Sequence, residues 1–301
     1  MNLTWYPLTP ADMPTYNKYY SMVRTNMTDL SFHCRFAWDN VFKVKWTIVE
    51  DCLVQISDGG DYSSPFMLMP LGKLTSEKVE KIIRAVKPIF DSKGWGFRIL
   101  AIEDSQKHIF EQTGIPAKID FSEDSSDYFY EAESLRTLAG KKYSKKRNHW
   151  SKFLRMYPDY EYESLTSSIF DECLKLVRIW ASDKGVDIAV TSDSDYYMIK
   201  RIFDNWDKLD ARGGAIRIDG QIVAFSIGSI GREEVGFIHF EKADIRYEGL
   251  YVAINRLVLE NEFPNIRYVN REEDLGIPGL RQSKESYFPI LKVKKWRYVP
   301  I

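Results

Sequence analysis

Hydrophobic positions along the chain follow two different spacings, which alternate from segment to segment. Alternating or clustered β-forming residues predict strands, and apolar residues three and four apart predict helices. Over residues 1–134 these patterns predict a strand, helices, three strands, a helix, a strand, a helix and a strand. The clearest helix follows Thr75 as its N-cap, and its apolar face consists of Val79, Ile82, Ile83, Val86 and Phe90.

The same order of elements is predicted again after residue 160. A strand and two helices lead to a hairpin whose turn, Asp219-Gly220, is typical of two-residue connections. The elements after the hairpin are a strand over 235–240, a helix over 250–263, a strand over 266–270, a short helix ending near Tyr287 and a strand over 292–299. We interpret the repeat as two domains, 1–134 and 135–301, each with a mixed α/β (α+β) sheet.

Composition bounds the class of protein. The chain has 301 residues, 44% of them hydrophobic, which is enough for two domains with their own cores. The formal net charge of −1 predicts no overall attraction to nucleic acid or anionic lipid, so any such partner needs a local patch. Cys34, Cys52 and Cys173 are widely spaced, and we expect reduced core thiols. With neither a signal peptide nor an apolar run long enough for a transmembrane segment, the expected location is cytoplasmic.

A glycine loop between the strand at 235–240 and the next helix is a candidate anion site. Helix N-termini present unpaired N–H groups and a partial positive charge, and Gly249 allows a ligand to approach the backbone closely. The strand at 266–270 is expected to bring Asn270 and the acidic residues 272–274 to the same edge of the sheet. We therefore expect the functional cleft at this edge.

The element order and this loop resemble the GNAT acyltransferases. Their donor loop has the pattern Arg/Gln-x-x-Gly-x-Gly/Ala, and Arg246-Tyr-Glu-Gly249-Leu-Tyr251 matches it except at the last position. The resemblance implies that Arg246 and Gly249 contribute to a donor site. A tyrosine at position 251 would crowd the backbone where coenzyme A normally lies, which counts against a coenzyme A donor.

Three longer strings extend the resemblance to nearly the whole chain. They are SDYFYEAESLRTLAGKKYSKKRNHWSKF, FIHFEKADIRYEGLYVAINR and YVNREEDLGIPGLRQSKESYFP. In this order they resemble the bacterial family that shares its domain with the C-terminal part of phosphatidylglycerol lysyltransferase, related to Fem-type aminoacyltransferases. The resemblance implies two tandem GNAT-like domains, with the first as a scaffold. It also implies transfer of an aminoacyl group from aminoacyl-tRNA to an amine or hydroxyl acceptor, such as a small molecule, a peptide or a lipid head group.

Such a transfer needs a base for the acceptor and an acid for the leaving group. His239 and Glu241 are two apart on a strand, hence on one face, and either is a candidate base. The alternative for His239 is a hydrogen-bonded strand histidine. Tyr287 lies where GNAT enzymes often keep a tyrosine acid, although a core tyrosine is an equal alternative. The further residues that we expect to bind the donor are Asn270, Asp274, Arg281 and Lys284.

A cation-rich stretch, KKYSKKRNHWSKFLR, reads as one amphipathic helix. Its candidate phosphate-binding or RNA-binding residues are Lys142, Lys145, Lys146, Arg147 and Lys152. These cations are suited to the phosphates of tRNA, and the binding would then weaken with salt. The alternative is an ordinary solvated helix face.

Other chemistries have little support in the sequence. The chain has no GxSxG, P-loop or HExxH motif and no cluster with metal-ligand spacing, so no metal is expected. Four aspartates in Ser-rich turns are expected to be solvated, namely Asp124, Asp127, Asp193 and Asp195. Two alternative functions stay open, a coenzyme A-dependent N-acyltransferase and a non-catalytic ligand-binding module on the same fold.

Overall fold

The computed structural model describes residues 3–183, 185, 195–232 and 234–301. The chain forms two compact units. The first consists of Met1–Asp127, Glu273–Gly276 and Val293–Ile301, and the second of Tyr128–Glu272 and Ile277–Lys292. The chain thus returns to the first unit twice, at Glu273–Gly276 and at Val293–Ile301. The expected domains 1–134 and 135–301 assign both segments to the second domain.

The first unit is built on one seven-stranded mixed sheet. Its helices are α1 Met13–Tyr20, α2 Phe32–Phe42, α3 Ser76–Ser92 and α4 Lys107–Glu111. Its strands are β1 Tyr6–Pro7, β2 Lys45–Val49, β3 Cys52–Ser57, β4 Phe66–Leu68, β5 Ile99–Glu103, β6 Ala117–Phe121 and, from the end of the chain, β14 Lys295–Pro300. The strand order is β1-β2-β3-β4-β5-β14-β6, so β14 pairs with β5 on one side and β6 on the other.

Local signals explain several of these elements. Glu50 and Asp51 both have positive φ angles, 51° and 59°, which gives the tight turn that joins β2 to β3. The Thr75 hydroxyl accepts a hydrogen bond from the Lys78 N–H and caps α3 as expected. The apolar face predicted for this helix is buried, while Pro88 lies within the helix without ending it.

The second unit is built mainly on another seven-stranded sheet. Its helices are α5 Ala132–Thr137, α6 Ser144–Met156, α7 Phe170–Asp183, α8 Asp195–Phe203, α9 Leu250–Asn261 and α10 Pro278–Glu285. Its strands are β7 Asp127–Glu131, β8 Glu161–Ser164, β9 Ala211–Ile218, β10 Gln221–Arg232, β11 Val235–Ala243, β12 Tyr268–Asn270 and β13 Leu291–Val293. The strand order is β13-β7-β12-β11-β10-β9-β8.

Strands β11 and β12 position the candidate site because they run parallel, with Gly236 opposite Val269 and Phe237 opposite Asn270. Strand β12 ends there, whereas β11 continues to Ala243 before the chain turns into α9. Apolar side chains of α6 and α9, including Phe153 and Ile254, share one buried cluster with β9 and β10. The last residues of β11 therefore extend beyond β12 while they still pair with β10.

The described residues test two expectations about the chain as a whole. Cys34, Cys52 and Cys173 are free and buried, which confirms the interpretation as core thiols. Among the residues that the structure describes, no helix combines the length and the apolar character that crossing a membrane requires.

Candidate functional site

The carboxylate of Glu241 lies where a strand, a helix and a loop meet. Glu241 is near the end of β11, and its Oε2 accepts a hydrogen bond from Asn255 Nδ2 of α9 at 3.2 Å. Its Oε1 accepts one from Arg271 Nη2, just beyond β12, at 3.0 Å. Both charged side chains are only 12% exposed. Three elements thus fix one largely buried carboxylate in a single orientation, which a long side chain on one element alone would not keep.

An aromatic ring with two cations completes this cluster. The Arg271 guanidinium lies 4.8 Å and the Lys146 Nζ 3.7 Å from the centroid of the Tyr287 ring. Tyr287 is buried, and its backbone carbonyl accepts a hydrogen bond from the Tyr143 hydroxyl at 3.0 Å. Burial raises the pKa of the Tyr287 hydroxyl, so the group stays protonated at neutral pH. The site therefore contains one carboxylate, two cations and a neutral phenol.

The surroundings of Lys146 lower the pKa of its ammonium group into a range suited to proton transfer. Burial lowers the pKa of its ammonium group to about 8, and the positive charge of Arg271 acts in the same direction. The charge of Glu241 opposes both effects. A lysine with this pKa has a substantial neutral fraction slightly above neutral pH, and neutral amines accept protons. From the sequence, Lys146 was expected to bind phosphate.

His239 is buried two residues before Glu241, and both of its ring nitrogens are engaged. Nε2 lies 2.8 Å from the Ser229 Oγ, and Nδ1 lies 3.2 Å from the Glu272 Oε1. Burial lowers the pKa of His239 to about 3, so the imidazole is neutral at physiological pH. The three side chains follow the order of a serine hydrolase triad, but Ser229 has no exposed surface in this structure. This geometry favours the hydrogen-bonded strand histidine that was the alternative to a base.

The donor-binding residues expected after β12 mainly hold the backbone of their own loop. Asn270 Oδ1 accepts from the Glu272 N–H at 2.7 Å, and the Lys284 ammonium donates to the carbonyl oxygens of Arg271 and Glu272. In the first unit, the buried Asp274 accepts from the Gly276 N–H at 2.8 Å. Arg281 lies half-buried on α10.

Glu272 itself has a φ angle of 58°, a strained value for this residue type. The Glu272 N–H donates to Asn270 and the Glu272 carbonyl accepts from Lys284, and these two bonds hold the conformation that presents the Glu272 carboxylate to His239. A strained residue kept in place by several partners is typical of functional loops.

The glycine of the donor loop has a packing role that the sequence did not reveal. Gly249 is the N-cap of α9 with a φ angle of 81°. A Cβ at this position would lie 2.5 Å from the His149 carbonyl oxygen and 3.0 Å from the Phe153 Cβ. The backbone of α6 therefore occupies the space where a ligand was expected to approach. Nearby, Arg246 forms an ion pair with Asp244, and Tyr251 is partly exposed.

Structural contacts engage four of the five cations proposed for tRNA, since the exposed Lys142 ammonium lies 5.2 Å from the centroid of the Tyr143 ring. Arg147 donates hydrogen bonds to the carbonyl oxygens of Leu138 and Gly140, just after α5, and Lys152 forms an ion pair with Glu248. Lys146 lies over Tyr287. Lys142 and Lys145 are exposed, and their role in phosphate binding stays a prediction.

The first unit contains a carboxylate cluster that the sequence did not predict. Oxygen atoms of Asp29, Asp127 and Glu273 lie within 4.8 Å of one another. The Lys295 ammonium pairs with all three, at 2.6 Å from Asp127 and 2.7 Å from Glu273. A metal ion would have to displace this ammonium group.

The expectation of four solvated aspartates is therefore wrong for Asp127, which is fully buried because Lys295 compensates its charge. Asp195 pairs with Lys242 in the second unit. Asp193 lies outside the described residues.

Sequence reasoning missed two members of the Glu241 cluster. Arg271 directly follows Asn270, but the sequence pattern at this strand end pointed only to amide and carboxylate groups. Asn255 is a buried polar residue in the otherwise apolar stretch LYVAINRLVL of α9, and that interruption of the apolar face was a usable signal.

The two mixed sheets, with a helix that follows the last long strand of the second, define a tandem GNAT-like acyltransferase fold. A tandem GNAT protein from the clavulanic acid biosynthesis pathway aligns over 98% of this chain and 98% of its own, with a TM-score of 0.51 and 9% identity. The chain belongs to the family described as phosphatidylglycerol lysyltransferase, C-terminal, whose model matches residues 23–299. Both the family and the fold expected from the sequence are thereby confirmed.

Solved structures show how widely this fold is shared. A conserved protein of unknown function from Bacteroides thetaiotaomicron is 28% identical, with a TM-score of 0.90 and full coverage of both chains. L-PGS from Bacillus licheniformis is 16% identical, with a TM-score of 0.68 over 98% of this chain and 92% of its own. FemX is 8% identical, with a TM-score of 0.65 over 99% and 97%. The last two likenesses concern the fold alone.

One curated relative is an uncharacterised protein of Mycoplasmoides gallisepticum. It is 27% identical over 177 residues, which span 58% of this chain and 56% of the relative. The match thus covers little more than half of that protein.

Proposed function

We propose that the chain is an aminoacyltransferase, which moves an aminoacyl group from an activated donor such as aminoacyl-tRNA to an amine or hydroxyl acceptor. The observation that carries the proposal is the fixed Glu241–Arg271 pair with Lys146 and Tyr287 beside it, in a member of this family. A carboxylate, a lysine that titrates near neutral pH and a buried guanidinium are the groups that direct acyl transfer requires. A cytoplasmic location stays part of this proposal.

The proposed reaction is one displacement at the ester carbonyl of the donor. The acceptor loses its proton to a base and attacks the carbonyl carbon, and the bond from that carbon to the tRNA oxygen then breaks. The leaving oxygen takes up a proton. Glu241 and Lys146 are the two candidate bases, and the neutral Tyr287 hydroxyl is the candidate acid. The Arg271 guanidinium is suited to stabilise the oxyanion, since its Nη1 has no hydrogen-bond partner among the described residues.

His239 receives a positioning role in this proposal. Its neutral ring connects Ser229 of β10 with Glu272 of the loop after β12, and it leaves proton transfer to Glu241 or Lys146. The pH dependence of the rate tests Lys146 as the base. If Lys146 accepts the proton, the rate of transfer should rise with pH up to about 8 and then level off.

The test is a transfer assay with bulk tRNA charged with radiolabelled amino acids. Dissolved amines, peptides and lipid vesicles serve as separate acceptors, and acyl coenzyme A thioesters replace the charged tRNA in a parallel series. We expect label from charged tRNA in an acceptor. Glu241→Gln and Lys146→Met should lower the rate by about 100-fold or more, the usual effect of removing an acid or base. Glu133→Gln, a change of an exposed carboxylate on α5, is the matched control.

Two results would contradict the proposal. Use of the thioester alone would identify a coenzyme A-dependent acyltransferase. Wild-type rates in both the Glu241 and the Lys146 variant would place the reaction elsewhere. A Lys146→Met variant that keeps the wild-type pH profile would leave Glu241 as the base.

A further inference from the structure

Cys34 has different surroundings from the other two cysteines of the chain. It lies in the first turn of α2, where its backbone N–H donates to the hydroxyl of the N-cap Ser31 at 3.2 Å. The Arg35 Nη2 donates a hydrogen bond to the Cys34 Sγ, also at 3.2 Å. Cys52 and Cys173 are completely buried and burial raises the pKa of both thiols, whereas Cys34 is 6% exposed. Cys34 thus combines a cationic neighbour with a small accessible surface.

The Arg35 guanidinium is poorly compensated for a buried cation. Only 6% of its side chain is exposed, and the carboxylate that it pairs with, Asp29, lies 3.6 Å from Nη2, too far for a hydrogen bond. Asp29 also pairs with the Lys295 ammonium, so its charge is shared. The Arg35 Nε has no hydrogen-bond partner in the described part of the chain. Since buried charged groups are normally paired and hydrogen-bonded, this unused N–H beside the thiol indicates that the site receives a further oxygen-bearing group.

The charges around Cys34 suit a thiolate. Tyr16 of α1 is the neighbouring phenol, and burial raises its pKa, so the hydroxyl is neutral at physiological pH. Burial lowers the pKa of Arg35, but the electrostatic effects of Cys34 and Asp29 outweigh burial, and the guanidinium stays charged. Lys295 offsets the repulsion from Asp29, and the N-terminus of the 11-residue helix α2 adds partial positive charge. Arginine neighbours and helix N-termini are the features that make a cysteine nucleophilic.

We propose that Cys34 is a redox-modification site, at which hydrogen peroxide oxidises a thiolate stabilised by Arg35 to a sulfenic acid. The sulfur attacks one peroxide oxygen, so an S–O bond forms as the O–O bond breaks. The sulfur loses two electrons and the peroxide gains them, and the departing hydroxide takes up a proton from the solvent to become water. The unused Arg35 Nε–H offers a hydrogen bond to the new oxygen. This chemistry needs neither the donor nor the acceptor of the proposed transfer reaction.

The test is chemical labelling of the purified folded protein, with peptide mapping by mass spectrometry. Iodoacetamide at pH 6.5 should alkylate Cys34 about 10-fold faster or more than Cys52 or Cys173. After a brief treatment with hydrogen peroxide, the sulfenic acid reagent dimedone should add to Cys34 and to neither of the other cysteines. Between pH 6.5 and 8 the alkylation rate of Cys34 should rise less than about threefold, whereas an ordinary thiol with a pKa of about 8.5 gains roughly 20-fold.

Two variants at position 35 separate charge from packing. Arg35→Met should slow the alkylation of Cys34 by about 10-fold or more at pH 6.5, and its rate should approach that of the wild type at pH 9, where an ordinary thiol ionises. Arg35→Lys keeps a positive charge and should retain most of the rate at pH 6.5. Cys52→Ala/Cys173→Ala is the matched control and should react with both reagents like the wild type. Circular dichroism and thermal melting establish that each variant is folded before rates are compared.

Three results would overturn the proposal. One is a wild-type Cys34 that iodoacetamide alkylates no faster than the other two cysteines, which would make it an inert core thiol. Another is a folded Arg35→Met variant whose Cys34 reacts at the wild-type rate at pH 6.5. The third is a Cys34 that is alkylated but gains no dimedone after peroxide treatment. If Arg35→Met does not fold, the pH profile of the wild type and the rate of Arg35→Lys decide the question.

Discussion

At the scale of single residues, His239 links the stability of the second unit to pH. Its pKa is about 3 in the folded chain and 6.5 when unfolded, so between these values the unfolded chain binds more protons. The neutral ring contributes fully to the free energy of unfolding above pH 6.5, and this contribution is lost as pH falls toward 3. At pH 5 the loss amounts to about 2 kcal/mol of unfolding free energy.

The prediction is that His239→Gln is less sensitive to acid than the wild type. Glutamine keeps a donor and an acceptor near Ser229 and Glu272 but has no proton to gain. Urea denaturation at pH 7 and pH 5 should show a smaller decrease in unfolding free energy for the variant, whatever its absolute stability. Equal decreases would mean that His239 does not stay neutral in the folded chain, with Glu272 stabilising the charged ring.

Lys295 shows why a single residue in this chain is hard to assign from its neighbours in sequence. The Lys295 ammonium is buried, which is unfavourable alone, but the carboxylates of Asp29, Asp127 and Glu273 raise its pKa well above the ordinary value. Lys295 in turn holds the pKa of Glu273 down to about 2, while burial raises that of Asp127. The cluster is stable only because the Lys295 ammonium offsets the repulsion among the three carboxylates.

At the scale of elements, the contact between α6 and α9 organises the candidate site. Lys146 lies on α6 and Asn255 on α9, and Gly249 lets the two helices meet because a side chain there would overlap the His149 carbonyl. A shift of α6 would move Lys146 away from Tyr287. The packing of these helices therefore affects both stability and the site.

Gly249→Ala should destabilise the chain by about 2–4 kcal/mol, since it combines an unfavourable positive φ with a backbone clash. Gly279→Ala is the matched control, because this glycine lies in α10 with no atom within 4 Å of the added Cβ. There the change should be neutral or stabilising by up to about 1 kcal/mol. Urea denaturation measures both. Similar losses for the two variants would show that α6 does not occupy the space beside Gly249.

At the scale of the whole molecule, the stability of the first unit depends on the last residues of the chain. Strand β14 lies between β5 and β6, so neither of these strands pairs with the other directly. The same strand also carries Lys295. The second unit contains two buried apolar clusters of its own.

Deletion of residues 294–301 should therefore unfold the first unit and leave the sheet of the second protected. Hydrogen exchange followed by mass spectrometry should show rapid exchange in β5 and β6 and slow exchange in β10 and β11. Deletion of the exposed Ile301 alone is the control and should change little. Persistent protection of β5 in the longer deletion would show that β14 is dispensable to its sheet.

The sequence alone determined the fold class, the family and most elements, because these depend on short-range patterns. Thr75 caps a helix through a hydroxyl three residues from its partner, and Asp219-Gly220 adopts the positive φ angles that its hairpin requires. Two-residue and 3.6-residue periods are likewise contained within one segment. Such signals can be recognised in the sequence because all the residues involved belong to one short segment.

Only the tertiary structure decided which distant residues meet, since pairing between separated segments leaves no local trace. Asn270 and Glu272 were found from a strand end, yet Arg271 between them is the residue that binds Glu241. The local sequence predicts a solvated turn residue at Asp127, whereas the structure pairs Asp127 with Lys295 near the end of the chain. Burial then sets the chemistry, because removing water from His239 and Lys146 lowers both pKa values and makes one a neutral link and the other a candidate base.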